Sequence, residues 1–351
     1  MQESLKQSFR WPAEWEPHRR TWIAWPTRPD DWPGRFEPIP WVYAEIVRHL
    51  HLSEPVVIVV PTSDAISSVT NILTRCGVDM QRIQFVAVPT DRGWLRDSGP
   101  IFVADTTGGA VALDWQFNAW AKYSDFHEDN ALPSRLAERF GWQLLQPQHR
   151  GNRVVLEGGS IDGNGQGLLL TTEECLLSNQ QERNPGFTRA DYERVFCEYL
   201  GVKKVLWLGR GIVGDDTHGH VDDIARFVSP RTVVVAYEEN LNDPNYEPLH
   251  ENWERLCHMT DLNNRSLEVV KLPMPDPVIF DGQRLPASYA NFYIANRRVL
   301  VPTFNAPQDR QALELIARLF PDRTVVGIHA VELVWGLGTL HCLTQQEPAF
   351  S

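Results

Sequence analysis

The 351-residue sequence has no long apolar run. A membrane-spanning helix needs about 20 consecutive apolar residues, and no stretch of this chain approaches that length. The first residues, Met1 to Gln7, also lack the apolar segment of a secretory signal peptide. We therefore expect a cytoplasmic protein with no membrane partner.

Cysteine is scarce and widely scattered. The chain has five, at Cys76, Cys175, Cys197, Cys257 and Cys342. An odd number at wide spacing is not typical of a disulfide framework or of a zinc-binding motif. The sequence therefore predicts neither of these.

Basic residues are outnumbered by acidic ones. The chain has 33 Lys and Arg against 45 Asp and Glu, a formal net charge of −12. Nucleic-acid-binding surfaces are usually basic, so a nucleic-acid partner is not expected. An acidic chain suits a cationic partner only weakly, because net charge reports on solubility and steering rather than on the reaction.

Composition and order along the chain favour one globular unit. Hydrophobic residues make up 42% and charged residues 22%, as in an ordinary soluble protein. Long linkers and low-complexity tracts, which would separate two halves, are missing. We expect a single domain over 1–351.

Helical and strand-like patterns alternate along the chain. Apolar periodicity predicts a helix opening at Pro40 and further helices at 64–76, 131–140, 190–200, 248–257 and 308–319. Short apolar runs predict strands at 56–60, 83–88, 101–104, 110–115, 203–208, 224–228, 232–237, 267–272, 289–294, 298–302 and 324–328. Alternation alone favours a doubly wound parallel sheet.

Four compact polar clusters lie on glycine-containing turns, at 94–100, 156–160, 214–223 and 336–346. The last holds Cys342, and the third holds His220. A thiol is a nucleophile only as the thiolate, so it needs surroundings that favour the charged form. One cysteine, one histidine and several carboxylates make a candidate nucleophilic site. The alternative is that Cys342 is a small buried hydrophobic residue.

The spacing of these clusters is nearly even. Glu157 lies 60 positions after Asp97, His220 lies 63 after Glu157, and Cys342 lies 122 after His220, or twice 61. One supersecondary unit repeated around a centre would give such spacing. The segments share little sequence identity, so the spacing alone does not establish a repeat.

The motifs resemble those of the agmatine deiminase family, also described as bacterial-type peptidylarginine deiminase-like proteins, within the guanidino-group-modifying superfamily. The resemblance runs nearly from end to end. It is carried by the segments 11–18, 22–26, 94–100, 117–120, 156–161, 214–222, 288–292 and 341–346. It implies a five-bladed α/β propeller with fivefold pseudo-symmetry, whose inner turns surround one pocket.

The resemblance also implies a reaction. Agmatine and water would give N-carbamoylputrescine and ammonia through a covalent thiouronium on Cys342, without a metal or other cofactor. His220 would be the general acid and base, and Glu157 would orient it. Asp97 and Asp222 would hold the guanidinium, because carboxylates accept its forked donors.

Two further residues are candidates for the distal end of the substrate. Asp216 lies four residues before His220 and would contact the amine of agmatine. Trp94 would pack on the methylenes or on the cation. The alternatives are a turn aspartate that caps the loop and a tryptophan that packs in the core.

Several readings stay open. Carboxylates and histidines within 215–223 could bind zinc or manganese in a metal-dependent relative. A non-catalytic guanidine-binding relative is another alternative, and arginine or C-terminal peptidyl-arginine are rival substrates. Thr339 and His218 stand where asparagine is common in the family, close to the reacting centre. The sequence does not settle whether the protein forms a homo-oligomer.

Overall fold

The computed structural model describes residues 9–350. The strands are β1 (His18–Ala24), β2 (Val56–Val60), β3 (Ile83–Ala87), β4 (Ile101–Ala104), β5 (Ala110–Leu113), β6 (Gln143–Leu145), β7 (Gln148–His149), β8 (Asn152–Arg153), β9 (Asp162–Gly163), β10 (Leu168–Thr172), β11 (Lys204–Leu208), β12 (Ala225–Phe227), β13 (Thr232–Tyr237), β14 (Glu268–Pro273), β15 (Ile279–Phe280), β16 (Gln283–Arg284), β17 (Tyr293–Ile294), β18 (Arg298–Thr303), β19 (Thr324–His329) and β20 (Thr344–Pro348).

Helices connect these strands. The α-helices are α1 (Ile39–Leu50), α2 (Ala65–Arg75), α3 (Leu95–Ser98), α4 (His127–Phe140), α5 (Glu173–Leu177), α6 (Arg189–Leu200), α7 (Tyr246–His258), α8 (Asp309–Leu319) and α9 (Leu340–Leu343). Short 3-10 turns occupy Pro29–Asp31, Met80–Arg82, Ala119–Ala121, Gly158–Ser160, Val221–Asp223 and Leu333–Gly336. In the described part of the chain, no helix combines the length and the apolar character that crossing a bilayer requires.

Five sheets of three or four strands lie within residues 9–350, and they share one plan. In each, a central strand has an antiparallel neighbour on one side and a parallel neighbour on the other. The sheets are β20-β1-β2-β3, β4-β5-β6, β9-β10-β11, β12-β13-β14 and β17-β18-β19. The single doubly wound sheet that alternation alone favours is therefore not formed.

A helix joins each pair of parallel neighbours in these sheets, because parallel neighbours need a crossover connection. The crossover helices are α1 and α2 in the four-stranded sheet, and α4, α6, α7 and α8 in the others. Their apolar periodicity made them predictable, and all six are confirmed to within a few residues. Helix α6 shows how sequence sets the start: Thr188 and Asp191 form a reciprocal capping box there.

The first sheet joins the two ends of the chain. Strand β20, which follows Cys342, pairs antiparallel with β1 through contacts such as Trp22 opposite Gln345. Neither strand was predicted, and nor was β10. The predicted strand 289–294 is wrong over its first part, where 288–292 turns inward and only Tyr293–Ile294 is strand.

In each sheet, a short turn immediately precedes the outer strand that runs antiparallel to its neighbour. Helix α3 precedes β4, the turns at 158–160 and 221–223 precede β9 and β12, the turn at 288–291 precedes β17, and α9 precedes β20. The four predicted polar clusters lie on these equivalent turns. The near-even spacing in sequence thus corresponds to a repeated structural position.

Two glycines that end helices offer a matched test of packing. Gly201 after α6 and Gly141 after α4 both have left-handed φ angles, +69° and +66°. A Cβ on Gly141 would meet nothing within 4 Å, whereas one on Gly201 would overlap the carbonyl oxygen of Phe9. The N-terminal segment therefore lies directly against the end of α6.

We predict that Gly141→Ala destabilises the protein by about 1–2 kcal/mol, the cost of a left-handed alanine. Gly201→Ala should cost a further ~1–3 kcal/mol, because the backbone at Phe9 must move. Urea denaturation of both variants measures the difference. Equal losses would show that the N-terminal segment does not pack on α6 as described.

Candidate functional site

A cavity of about 670 Å³ opens beside the inner turns. Four of the predicted site residues line it: Trp94, Asp97, Asp216 and Cys342. The other three, Glu157, His220 and Asp222, are buried directly behind this wall. The structure thus brings all seven predicted residues to one region.

Cys342 lies in α9 with only 6% of its surface exposed. The side-chain amide of Asn291 donates to its sulfur at 3.1 Å, and Asp222 Oδ2 lies 3.8 Å from the same sulfur. A side chain at Gly338 would come within 3.2 Å of Sγ and 2.9 Å of the Trp94 ring. Glycine at 338 therefore keeps the space around the thiol open.

The surroundings of Cys342 disfavour the thiolate. Burial raises the pKa of this thiol well above its usual value, and the nearby charges of Asp222, Asp223 and Asp97 raise it further. The hydrogen bond from Asn291 acts in the opposite direction. A positive group must approach before the sulfur becomes a good nucleophile.

His220 sits between two carboxylates. Its Nδ1 lies 3.8 Å from Asp97 Oδ1, and its Nε2 lies 3.8 Å from Glu157 Oε2. Neither ring nitrogen has a hydrogen-bond partner, although the residue is only 1% exposed. Burial by itself lowers the pKa of His220, but Asp97, Cys175 and Glu157 outweigh it and raise that pKa well above its ordinary value.

The pKa values of the two carboxylates beside His220 are shifted in opposite directions. Burial raises the pKa of Glu157, but Arg183 and His220 outweigh that and lower it to about 2. Arg183 reaches Glu157 Oε1 at 3.0 Å. For Asp97, burial raises the pKa to about 6, with Asp222 and Glu157 adding to the shift against the opposing charge of His220. Asp97 is therefore the more easily protonated of the pair.

Asp97 is held by an unusual backbone turn. Ala119, Trp120 and Ala121 all have positive φ angles, between 49° and 58°, which non-glycine residues rarely adopt in succession. The turn points the Trp120 indole N–H at Asp97 Oδ2, at 2.9 Å, while the Gly159 N–H donates to Oδ1 at 3.0 Å. Both oxygens of this carboxylate are thereby fixed.

Gly159 shows how closely the polar groups converge. A Cβ there would lie 2.6 Å from His220 Nδ1, 2.8 Å from Asp97 Oδ1 and 3.1 Å from Asp222 Oδ2. Only glycine leaves room for three polar side chains at this point. The Glu-Gly-Gly turn is therefore required for the assembly of the site.

Asp222 is oriented by His341, the residue before the cysteine. His341 Nδ1 lies 2.7 Å from Asp222 Oδ2, and its Nε2 lies 2.7 Å from Glu14 Oε2. The imidazole of His341 therefore lies between two carboxylates. Burial raises the pKa of Asp222, but His341, His220 and Arg226 outweigh it and lower that pKa. Asp222 Oδ1 is buried without a partner.

Asn291 links the fifth turn to the nucleophile. Its side-chain amide donates to Asp223 Oδ1 at 3.0 Å as well as to the Cys342 sulfur, and its carbonyl oxygen accepts from the Thr339 hydroxyl at 2.8 Å. Thr339, which stands where asparagine is common in the family, therefore helps to orient the Asn291 side chain. Burial raises the pKa of Asp223 well above its ordinary value, and the charge of Asp222 raises it further.

His218 is the second residue that stands where asparagine is common in the family, and its backbone conformation bears on that preference. Its φ angle is +65°, in the left-handed region that asparagine tolerates better than most residues. Its ring contacts the Ser178 hydroxyl at 3.1 Å, away from the cysteine. The substitution therefore changes the loop, not the reacting groups.

Asp216 lies in the cavity wall, but it already has partners. It accepts from the Lys122 ammonium and from the Tyr123 hydroxyl, the latter at 2.7 Å. A ligand amine that binds Asp216 must therefore share it with these groups. Trp94 lines the cavity with its ring 5.5 Å from that of Trp32, so it packs in the core and faces the cavity at once.

Every cation that lines the cavity within residues 9–350 is paired with a carboxylate. Lys122 contacts Asp216, and Arg28 contacts Asp125. Arg92 contacts Asp31 at 2.8 Å and Asp125 at 3.0 Å. The described cavity wall thus offers no uncommitted positive charge to a ligand carboxylate.

The metal site considered for 215–223 is not assembled from that loop. Both oxygens of Asp215 accept backbone N–H groups of the loop itself, from Thr217, Gly219 and His220. In the described part of the chain, the one group of three candidate ligands combines Glu157, Cys175 and His220 instead.

Among the residues that sequence reasoning missed are four that contact Asp97, Glu157, Cys342 and Asp222, namely Trp120, Arg183, Asn291 and His341. Three of them lie in motifs that carry the resemblance, at 117–120, 288–292 and 341–346. The double interval between His220 and Cys342 also leaves room for a further turn between them, and Asn291 lies within that interval. Arg183 lies outside any motif, and nothing in the sequence distinguishes it from a surface arginine.

Comparison with known proteins identifies the family. The profile of the Porphyromonas-type peptidyl-arginine deiminase family matches residues 10–348. The agmatine deiminase of Stutzerimonas stutzeri is 35% identical, with 98% of this chain and 96% of the relative covered. The matched region includes every turn of the site.

Solved structures show the same α/β fold. The agmatine deiminase of Enterococcus faecalis superposes with a TM-score of 0.88 at 35% identity, covering 97% of this chain and 96% of the other. A C. jejuni agmatine deiminase, a cysteine-to-serine variant with substrate bound, superposes with a TM-score of 0.87 at 27% identity, covering 100% and 99%. The resemblance seen in the motifs is confirmed, and the chain belongs to the Porphyromonas-type peptidyl-arginine deiminase family.

Proposed function

We propose that this protein is an agmatine deiminase, which hydrolyses agmatine to N-carbamoylputrescine and ammonia. The observation that carries the proposal is a buried thiol, Cys342, surrounded by carboxylates with unused acceptors. Asp222 Oδ1 and Glu157 Oε2 have no partner, although both residues are 0% exposed. Buried acceptors without partners are costly, and a guanidinium supplies planar donors at neutral pH.

Asp97 and Asp222 hold the guanidinium plane in this proposal. Both carboxylates lie beside Cys342, and each is fixed by a donor on its far side, Trp120 or His341. The fixed carboxylates orient the guanidinium carbon toward the sulfur and stabilise its charge through the reaction. Loss of one partner of such a buried pair should cost about 2–5 kcal/mol of binding energy.

Chemistry begins when the thiolate of Cys342 attacks the guanidinium carbon and forms a carbon–sulfur bond. His220, protonated between Asp97 and Glu157, gives its proton to the departing nitrogen, and the carbon–nitrogen bond breaks to release ammonia. An S-alkylthiouronium remains on Cys342. Neutral His220 then takes a proton from water as the water attacks, and the carbon–sulfur bond breaks to release the ureido product.

In the proposed mechanism, binding of the cationic substrate favours ionisation of the Cys342 thiol. Because Asp222, Asp223 and Asp97 raise the pKa of Cys342, the thiol of the free enzyme is largely protonated at neutral pH. A guanidinium bound among these carboxylates offsets their charge and favours the thiolate. No metal or cofactor is needed for any step.

Agmatine is favoured over arginine because of the cavity wall. Arginine and C-terminal peptidyl-arginine carry a carboxylate that needs a cation, and the described cavity cations are already paired. Agmatine ends in an ammonium, which can join the Tyr123 hydroxyl and Lys122 at Asp216. Trp94 provides an aromatic wall for the methylenes.

We extend the proposal to the overall fold and the cellular location. The five sheets with one shared plan are the blades of a five-bladed propeller with fivefold pseudo-symmetry, formed by a single domain over 1–351. All five cysteines, within the range that the structure describes, are free, which suits a reducing compartment. A cytoplasmic enzyme acting on a small internal metabolite agrees with this.

Replacement of the nucleophile tests the covalent route. We expect Cys342→Ser to lower kcat for ammonia release from agmatine by at least about 10³-fold, because a weakly acidic hydroxyl cannot replace the thiolate. Cys197→Ser, at an exposed cysteine, is the matched control and should keep its activity. A Cys342→Ala protein that is folded by circular dichroism and releases ammonia within tenfold of the normal rate would rule the route out.

Asp216→Asn tests the choice of substrate. We expect KM for agmatine to rise about tenfold with a smaller change in kcat, because the amine contact exists in both ground and transition states. Asp30→Asn, also at the cavity mouth, is the control and should change KM little. A higher kcat/KM for arginine or an arginine-terminated peptide than for agmatine would contradict the assignment.

Alkylation of the free protein tests the electrostatic account. The carboxylate of Asp222 raises the pKa of Cys342, so Asp222→Asn should lower that pKa and increase the thiolate fraction at pH 8. Each unit by which the pKa falls should speed modification of Cys342 by iodoacetamide about tenfold. Asp322→Asn, at an exposed loop, is the control. Slower modification in the Asp222 variant would overturn this explanation.

A further inference from the structure

A second buried thiol lies behind the general acid and base, and the proposed reaction does not use it. Cys175 is 1% exposed, and its backbone N–H is held by the Thr172 hydroxyl at 3.0 Å at the start of α5. Its sulfur, a carboxylate oxygen of Glu157 and a ring nitrogen of His220 all lie within 4.8 Å of one another.

The other two members of this group carry buried polar atoms that have no partner and that point to a ligand. Glu157 Oε2 and both His220 ring nitrogens are buried without hydrogen-bond partners. Arg183 occupies only Oε1 of Glu157, so Oε2 stays available. Thiolate, imidazole and carboxylate are together the ordinary donor set of zinc.

The spacing also suits one ion. His220 Nε2 and Glu157 Oε2 are 3.8 Å apart. Two ligands bound to one tetrahedral zinc at about 2.0–2.3 Å lie roughly 3.3–3.8 Å apart. A small contraction around a bound ion would therefore complete three protein ligands, and water would supply a fourth.

We propose that Glu157, Cys175 and His220 form an inhibitory binding site for a thiophilic divalent cation such as Zn²⁺. On binding, the Cys175 sulfur gives its proton to solvent and bonds to the metal as the thiolate, with no change of oxidation state. His220, which is protonated in the proposed free enzyme, also gives a ring proton to solvent, and the lone pair that this frees bonds to the metal together with the free oxygen of Glu157. The residue proposed as acid and base can then no longer carry protons.

Some nearby charges favour binding of a cation at this site, and another opposes it. Asp97 Oδ1, 3.8 Å from His220 Nδ1, favours a cation. Arg183 opposes one, but its charge is offset by Glu157 Oε1 and by the carbonyl oxygens of Gln181 and Thr217. With Cys175 ionised, the negative charges of Cys175, Glu157 and Asp97 together balance those of Arg183 and a divalent ion.

Cys342 is the rival ligand, and the test must separate the two thiols. Its sulfur contacts Asn291 and Asp222 and does not belong to the Glu157–Cys175–His220 group. A Cys342→Ser protein therefore removes the rival and keeps the site. It also cannot turn over, so metal binding is measured independently of whether the proposed substrate is correct.

The binding experiment is a Co²⁺ titration of Cys342→Ser. We expect one equivalent to bind with a near-ultraviolet thiolate-to-cobalt band, which disappears in Cys175→Ser/Cys342→Ser and persists in Cys197→Ser/Cys342→Ser. X-ray absorption of the Zn²⁺-loaded Cys342→Ser protein should show one sulfur at about 2.3 Å with nitrogen or oxygen neighbours. This second measurement needs no change at Cys175. A shell without sulfur, or a band unaffected by loss of Cys175, overturns the proposal.

The functional readout is inhibition of ammonia release by buffered Zn²⁺, with each variant compared with its own metal-free rate. Cys175→Ser should need at least about tenfold more zinc for half-inhibition than the unmodified protein, as expected for loss of a ligand. Cys197→Ser should match the unmodified protein. Equal zinc sensitivity in Cys175→Ser and the unmodified protein would place the inhibition elsewhere and contradict the site.

Discussion

Negative charge buried around a thiol is the constraint on which this structure depends. Asp97, Asp222 and Asp223 are each almost fully buried, and all three raise the pKa of Cys342. Such a site is poorly suited to an unassisted thiolate and well suited to a planar cation. In the proposed mechanism, the same charges that suppress the free nucleophile select the cationic substrate that activates it.

Buried partners keep these carboxylates in place. Arg183 pairs with Glu157, His341 bridges Asp222 and Glu14, and Arg226 reaches Glu14 at 3.0 Å. Removing one member of a buried ion pair typically costs about 3–5 kcal/mol, because the partner is left uncompensated. These contacts join the N-terminal segment, which carries Glu14, to the C-terminal turn, which carries the cysteine. The reacting groups are thus oriented by residues distant in sequence.

Much of the fold was predictable because periodicity is local. The six crossover helices, buried strands such as 56–60 and the strands at 101–104 and 110–115 were all recognisable from their apolar patterns. β20 was not, because it pairs with β1 across the whole chain and its residues, Thr344 to Pro348, are mostly polar. Residues 289–292 of the inward turn have a pattern typical of a strand because they are mostly apolar.

The sequence indicated candidate residues for the site, but not the contacts between them. Motifs led to Cys342 and His220, and the structure places both at the cavity or directly behind it. The left-handed turn at Ala119–Ala121 depends on contacts that no local pattern encodes, such as Gln181 donating to the Trp120 carbonyl oxygen. The most direct test of the account is acid-quenched turnover with agmatine, followed by peptide mass analysis. The account predicts a thiouronium adduct on the peptide that carries Cys342 and on no other cysteine. Steady turnover without that adduct, or an adduct on a different cysteine, would contradict it.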